Sequence, residues 1–88
     1  MTQSSLVQLT QEWKPFSDIV TPEDDTVYYI QNRGSDTLVA LESSSEPSET
    51  DAGTMVLPYK EVKYVKGSQD LYLRAFNKGC EINITKVG

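Results

Sequence analysis

The stretch DLYLRAFNKGCEINITKV, residues 70–87, carries the clearest pattern in this chain. Apolar and polar residues alternate on both sides of Asn77-Lys78-Gly79, a tripeptide that is typical of a tight turn. The pattern predicts a β-hairpin that closes the domain and supplies much of its core. Its predicted inward residues are Leu71, Leu73, Ala75, Cys80, Ile82 and Ile84, with Arg74, Glu81, Asn83 and Thr85 toward solvent.

A second strand pair is predicted in the first half of the chain. Residues 26–32, TVYYIQN, are dense in β-branched and aromatic side chains, which favour strands. The following turn, in which Gly34 is available for a positive φ, leads to a strand at 37–42 and so predicts another hairpin. Further strands are predicted at 6–13, 54–57 and 61–65, and an irregular segment at 16–21.

Six or seven short strands with turn signals between them predict an all-β fold, a small antiparallel β-sandwich or barrel. No repeat or second domain is visible, so residues 1–88 are interpreted as a single domain. Residues 1–5 are expected to be flexible. Residues 43–53, SSSEPSETDAG, form a long polar loop by composition, and loops of this length are often functional or mobile.

The chain is short and lacks the usual covalent or metal supports of small domains. An 88-residue domain buries only about 60–65% of its unfolded surface, which leaves its stability marginal. A single cysteine, Cys80, excludes a disulfide within the chain, and the absence of histidine argues against structural zinc. We therefore expect self-association, as a dimer or trimer, or binding to a partner.

Charge is distributed unevenly along the chain. The net charge of −5 argues against nucleic acid as a partner. Residues 1–53 hold ten acids and two bases, whereas residues 54–88 hold six bases and three acids. Two interpretations stay open: the two halves face each other inside one domain, or the surface docks copies head to tail or binds a charged partner.

Catalytic and cofactor signals are weak. Nucleophilic catalysis lacks its usual histidine base, and Cys80 is interpreted as a small buried hydrophobe. The acids Glu46, Glu49 and Asp51 are interpreted as solvated loop residues, because they lack the regular spacing of a calcium loop. No glycine-rich phosphate loop is present. We expect a protein that is not an enzyme and that uses no cofactor or metal.

Targeting signals are equally sparse. No apolar run approaches the roughly 20 residues that span a bilayer, so we expect no membrane partner. The N-terminus lacks a basic region followed by an apolar core, which predicts synthesis in a cytoplasm.

Aromatic residues and one arginine are the candidate contact residues. Tyr28 and Tyr29 point to opposite faces of one strand, so only one of them is expected in the core. The predicted interface residues are Trp13, Phe16, Tyr28, Tyr72 and Arg74.

The order of features resembles the short structural proteins of tailed bacteriophages. The segments that carry the resemblance are VYYIQNRGSDTLVAL, SSSEPSETDAG, MVLP, LYLRAF and INITKV, which together cover roughly residues 26–87. Similar small β-sandwich chains occur as capsid-decoration and other virion-associated proteins. The resemblance implies a non-enzymatic virion component, made in the bacterial cytoplasm, whose partners are copies of itself and other virion proteins.

Two other functions stay open at this point. Exposed tyrosines and the loop at 43–53 are compatible with a glycan-binding module. The acidic first half, through Asp24 and Asp25, is compatible with a small adaptor or inhibitor that binds a basic host protein.

Overall fold

Two antiparallel sheets of four strands each pack face to face, as seen in a computed structural model that describes residues 2–48, 51–67 and 69–87. The first sheet has the strand order β1-β8-β3-β6, and the second has the order β2-β7-β4-β5. This confirms the predicted all-β sandwich. The elements are β1 (Thr2–Leu9), β2 (Lys14–Pro15), α1 (Phe16–Ile19), β3 (Val27–Asn32), β4 (Leu38–Ser43), β5 (Thr54–Val56), β6 (Glu61–Val65), β7 (Asp70–Ala75) and β8 (Cys80–Val87).

The first strand has different bounds from those predicted. The backbone of residues 2–5, expected to be flexible, forms the first half of β1 and pairs with residues 84–87 of β8. The strand expected at 6–13 ends at Leu9, and a separate two-residue strand, β2, begins at Lys14. The chain moves from the first sheet to the second between these strands, which raises the number of strands in the described residues to eight.

Both predicted hairpins are wrong in their pairing, although their strands are present. β3 belongs to the first sheet and β4 to the second; likewise β8 belongs to the first and β7 to the second. The two links between these strands, residues 33–37 and 76–79, therefore each cross from one sheet to the other. The apolar residues of β7 and β8 meet across the core of the sandwich and do not pair within one sheet. Alternation of apolar and polar residues is the same in a hairpin and in two strands of facing sheets, so it does not distinguish them.

The core lies between the sheets and takes one face of most strands. Phe16, on the single helical turn of α1, lies beside Tyr28 and Tyr64 of the first sheet, with ring centroids 5.0 and 5.1 Å away. The segment expected to be irregular thus supplies a central core residue. The buried cluster contains Leu9, Phe16, Tyr28, Ile30, Leu38, Ala40, Val56, Tyr64, Leu71, Leu73, Ala75, Cys80, Ile82 and Ile84.

A buried asparagine organises the end of the sandwich where the two links cross. Asn32 is fully buried, and its Nδ2 donates to the carbonyl oxygens of Asp36 (2.7 Å) and Val56 (2.9 Å). Its Oδ1 accepts from the Gly34 amide and from the Cys80 thiol, both at 3.0 Å. Because these groups are buried or partly buried, losing Asn32 leaves several of them without this partner.

Asp36 joins the two links through its carboxylate. It accepts hydrogen bonds from the backbone amides of Thr37 (2.8 Å), Asn77 (3.0 Å) and Lys78 (2.9 Å). Partial burial raises the pKa of Asp36, but these amide hydrogen bonds together hold it below its usual value. We call Asn32, Asp36, Asn77 and Cys80 the crossover cluster.

Gly34, next to this cluster, has a different role from the one predicted. It does not adopt a positive φ; a Cβ at this position would lie 3.1 Å from the Glu81 backbone nitrogen. Its small size therefore lets the first link approach β8 closely. Among the non-glycine residues that the structure describes, positive φ angles occur at Asp25 and Tyr59.

Two ion pairs connect the oppositely charged halves of the chain. Lys66 Nζ lies 3.1 Å from Asp24 Oδ1, and Lys86 Nζ lies 2.7 Å from Glu23 Oε2. The hydrogen bond to Glu23 raises the pKa of Lys86. Both pairs join an acid of residues 1–53 to a base of residues 54–88, which favours the interpretation that the halves face each other within one domain.

Candidate functional site

The outer face of the second sheet carries a row of side chains from three neighbouring strands. Val39 of β4 lies opposite Arg74 of β7 on one side and opposite Met55 of β5 on the other. Opposite residues of antiparallel strands share a face, so these three side chains stand together outside the core. Phe76 follows β7 at the next outward position.

These residues border a shallow cavity of about 340 Å³, which we call the groove. Val39 is buried, whereas Met55 is 51% exposed and Phe76 is 45% exposed. The groove thus combines an apolar surface with one acidic and one basic side chain. The lining residues used below are Val39, Asp51, Gly53, Met55, Arg74 and Phe76.

Residues 51–53 line one side of the groove, and residues 47–48 contact Trp13, which directly precedes β2. Trp13 Nε1 donates a hydrogen bond of 2.9 Å to the carbonyl oxygen of Ser48, and Pro47 is buried beside it. The Ser48 amide donates to Asp51 Oδ2 at 2.8 Å, which positions this carboxylate within the loop. Glu49 and Thr50 lie outside the described residues.

Gly53 allows the loop to reach the sheet. A Cβ at this position would lie 2.6 Å from the carbonyl oxygen of Ala40 and 3.0 Å from Val39 Cγ1. No real Cβ sits that close to a backbone oxygen, so a larger residue would displace the loop. The absence of a side chain at Gly53 therefore sets the shape of the groove.

Arg74 connects the groove to Trp13. Its guanidinium carbon lies 5.4 Å from the centroid of the Trp13 ring, and its Nε donates to the carbonyl oxygen of Ala75 at 3.4 Å. A cation over the face of an indole is attracted by the ring's negative face. Trp13 is buried and is the single tryptophan of the chain, so it is a natural reporter of changes in the groove.

The five predicted interface residues divide into two groups. The Trp13 ring, just before β2, lies against Arg74 of β7, and Tyr72 of β7 is half-buried and lies opposite Leu41 and Pro15. Phe16 and Tyr28 are buried in the core and have almost no exposed surface, and their role as interface residues stays a prediction. Aromatic character alone does not distinguish a core residue from a contact residue.

Sequence reasoning missed Met55 and Phe76 as residues of the groove. A signal for Phe76 exists, because it directly follows the buried Ala75 and alternation therefore directs it outward. Met55 lies between the exposed Thr54 and the buried Val56 in a strand of three residues, too short for alternation to be visible.

Other candidate sites are less favourable. Burial raises the pKa of the Cys80 thiol to about 11, so little thiolate exists at neutral pH. Within residues 2–48, 51–67 and 69–87, no group of three or more acidic, cysteine or histidine side chains is arranged to hold a metal ion. Glu49, one of the three acids considered for calcium, lies outside those ranges.

The tyrosines do not form one stacking platform for a sugar. Tyr28 and Tyr64 are core residues. Tyr29 is directed outward from the first sheet and Tyr72 outward from the second, so they are on opposite sides of the sandwich. No specific contact therefore favours the glycan-binding alternative.

The acidic surface proposed for an adaptor is also divided. Asp24 is paired with Lys66, and its neighbour Glu23 is paired with Lys86. These pairs place positive charge beside the acids that were expected to attract a basic partner.

Comparison with known proteins found no matching family model, no matching curated protein and no matching solved structure. Among the residues that the structure describes, none of the helical structure is long and apolar enough to cross a membrane.

Proposed function

We propose that this chain is a non-enzymatic structural protein of a bacteriophage virion, an oligomeric capsid-decoration or head/tail accessory module. In this role it joins copies of itself and binds another virion protein through the groove. The virion setting rests on the sequence resemblance described above, and a small β-sandwich is the fold that this resemblance implies.

The groove is the observation that carries the proposal. Contiguous apolar surface with polar residues at its rim is characteristic of protein interaction sites. Met55 and Phe76 provide such surface, and the attached loop and Gly53 give it a definite shape. Because these side chains stand on strands or directly after one, the contact surface is held by the sheet.

Charge around the groove indicates the chemistry of its partner. Asp51 lines the groove, and Glu12 and Glu46 line the neighbouring depression beside Trp13. Arg74 is engaged with the Trp13 ring and a backbone carbonyl. A partner segment with an apolar or aromatic anchor flanked by lysine or arginine complements this surface.

Fluorescence of Trp13 tests the docking part of the proposal. We expect a peptide with an aromatic anchor between lysines to change the emission of Trp13 in a saturable way. A peptide with the same anchor between glutamates is the matched probe and should have little effect. Equal responses to both peptides, or no response to either, would contradict the proposed partner chemistry.

Two aromatic substitutions locate the binding. Phe76→Ser removes the exposed ring at the groove and should weaken peptide binding by about tenfold or more, the loss of one good anchor. Tyr59→Ser is the control, because Tyr59 is 71% exposed but does not line the groove. Similar losses in both variants would show that the peptide binds elsewhere.

The self-assembly part is tested independently by light scattering of the purified chain. We expect a dimer or trimer that persists at high salt, since apolar contacts are not screened by ions. A monomer throughout would contradict self-assembly and leave the docking result unaffected.

A further inference from the structure

We infer that two copies of this chain join through antiparallel pairing of β1 with β1, which merges their first sheets into one continuous sheet. The inference deepens the proposed function, because it names the surface through which copies associate. It rests on the edges of the two sheets, and not on the groove.

Three of the four sheet edges in the described residues carry features that prevent pairing with another chain. β2 has two residues, a lysine and a proline, and β5 has three residues with Pro58 shortly after. β6 carries Glu61 and Lys63, both exposed. Short length, proline and charge are the known means by which natural sheets block edge pairing.

β1 is the exception among these edges. It has eight residues, TQSSLVQL, without a charge, a proline or a glycine. It pairs residue by residue with β8 from Thr2↔Val87 to Leu9↔Cys80, so its backbone is regular along the whole strand. Its other side therefore presents unpaired backbone groups to a further strand.

A second copy of the same strand is the occupant that this chemistry favours. Antiparallel self-pairing of a charged strand sets like charges near each other, whereas β1 has none to oppose. The dimer that results has two-fold symmetry, the commonest symmetry of homo-oligomers. Its merged sheet of eight strands lies within the usual range of about 2–10 strands.

Leu6 selects the register of this pairing. It is 65% exposed although it is a large apolar residue in a regular strand. If Leu6 lies opposite Leu6 of the second copy, the two exposed leucines contact each other on the symmetry axis. Val7 then lies opposite Ser5 and Gln8 opposite Ser4, so no charged group enters the contact.

A lysine on either outer edge of the first sheet tests which edge is used. Leu6→Lys places two like charges opposite each other in the proposed dimer and removes the leucine contact. We expect the dissociation constant to rise by about tenfold or more. Val65→Lys is the matched control, because Val65 is 41% exposed on the opposite edge strand, β6. It should change the constant by no more than about twofold.

Cysteine cross-linking tests the register. Opposite Cβ atoms in antiparallel strands lie roughly 4.5–5.5 Å apart, so Leu6→Cys should form an intermolecular disulfide under mild oxidation with diamide. In the same register, Gln8 of one copy and Gln8 of the other are offset by four residues, about 14 Å along the strand. Gln8→Cys should therefore cross-link poorly. Because Cys80 is buried, the unmodified chain should not cross-link.

The possible outcomes separate this inference from the proposed function. An oligomer that is insensitive to Leu6→Lys, or that cross-links equally through position 8, overturns the inference while self-assembly stands. A trimer does the same, since β1–β1 pairing closes at two copies. A monomeric unmodified chain overturns both the inference and the self-assembly part of the proposed function.

Discussion

At the crossover cluster, the polar side chain of Asn32 is fully buried, and in the groove, apolar side chains remain in solvent. Asn32 and Asp36 satisfy the backbone of two links that cross between the sheets, whereas Met55 and Phe76 stay about half exposed on the second sheet. Among described residues, no buried side-chain nitrogen or oxygen lacks a hydrogen-bond partner. In this part of the chain the core thus holds no unpaired polar side-chain atom, although the groove leaves apolar side chains exposed.

Stability and contact surface depend on different residues in this small domain. A buried polar group contributes to stability through partners that only the native fold provides. An exposed apolar side chain gains little from folding and gains more when another protein covers it. Substitutions at the cluster should therefore change the free energy of unfolding, and substitutions in the groove should change binding.

Asn32→Ala should give the largest loss of stability. It leaves the Gly34 amide and the Asp36 and Val56 carbonyl oxygens without their partner, and it opens a small cavity. We expect the free energy of unfolding to fall by about 3 kcal/mol, measured by denaturant unfolding followed by circular dichroism. Asn83→Ala, at a half-exposed site on β8, is the control; equal losses would show that the crossover cluster is not special.

Gly53→Ala should give the next largest loss of stability. Unlike Phe76→Ser, it acts at the groove through backbone packing. The added Cβ meets the Ala40 carbonyl oxygen, so we expect a loss of about 1–2 kcal/mol and a red shift of Trp13 emission as the loop moves away. Gly67→Ala has no atom within 4 Å of the added Cβ and is the control. An unchanged Trp13 spectrum in Gly53→Ala would contradict the proposed attachment of the loop.

Asp36→Asn should reduce stability by about 1 kcal/mol at pH 7, since the amide keeps an acceptor but loses the charge. The sign of the pH dependence follows from the lowered pKa, which means that the native state binds this proton less tightly than the unfolded chain. The stabilisation is thus present above the ordinary value of 3.8 and is lost as pH falls through the native pKa.

The difference between Asp36→Asn and the unmodified chain should accordingly shrink as the solution is acidified below about pH 4. Unfolding curves measured from pH 7 to pH 2 check this expectation. Asp18→Asn, at an exposed position on α1, is the control for the loss of one negative charge. A difference that stays constant over the whole pH range would break the account of the Asp36 carboxylate.

Phe76→Ser should have the smallest effect on stability. Its ring is about half exposed, so we expect a change within about 0.5 kcal/mol, as for most surface substitutions. The same variant should nevertheless lose peptide binding. If it unfolds the protein as readily as Asn32→Ala does, then the ring of Phe76 belongs to the structural core and the comparison fails.

Sequence patterns predicted most strands and the apolar residues of β7 and β8, because alternation reports directly on which face is buried. They did not predict how these strands pair. A short link between two strands is compatible both with a hairpin and with a crossing between sheets. The crossing is specified by Asn32 and Asp36. Asn32 binds Cys80, and Asp36 binds Asn77 and Lys78, and each of these partners is more than 40 residues away in the sequence.

The candidate site was predicted in part. Arg74 and Tyr72 were selected for their side-chain type and do lie on β7, with the Trp13 ring against Arg74, whereas Phe16 and Tyr28 are core residues. The groove itself depends on the loop that returns to the sheet at Gly53. That approach is a tertiary contact, and no local pattern in the sequence reports it.

The association of two copies through β1 is best measured by sedimentation of the unmodified chain over a wide range of concentrations, at low and at high salt. The account predicts a reversible association to twice the mass of the chain, which is retained at high salt because β1 carries no charge. A species with the mass of one chain at every concentration would contradict it.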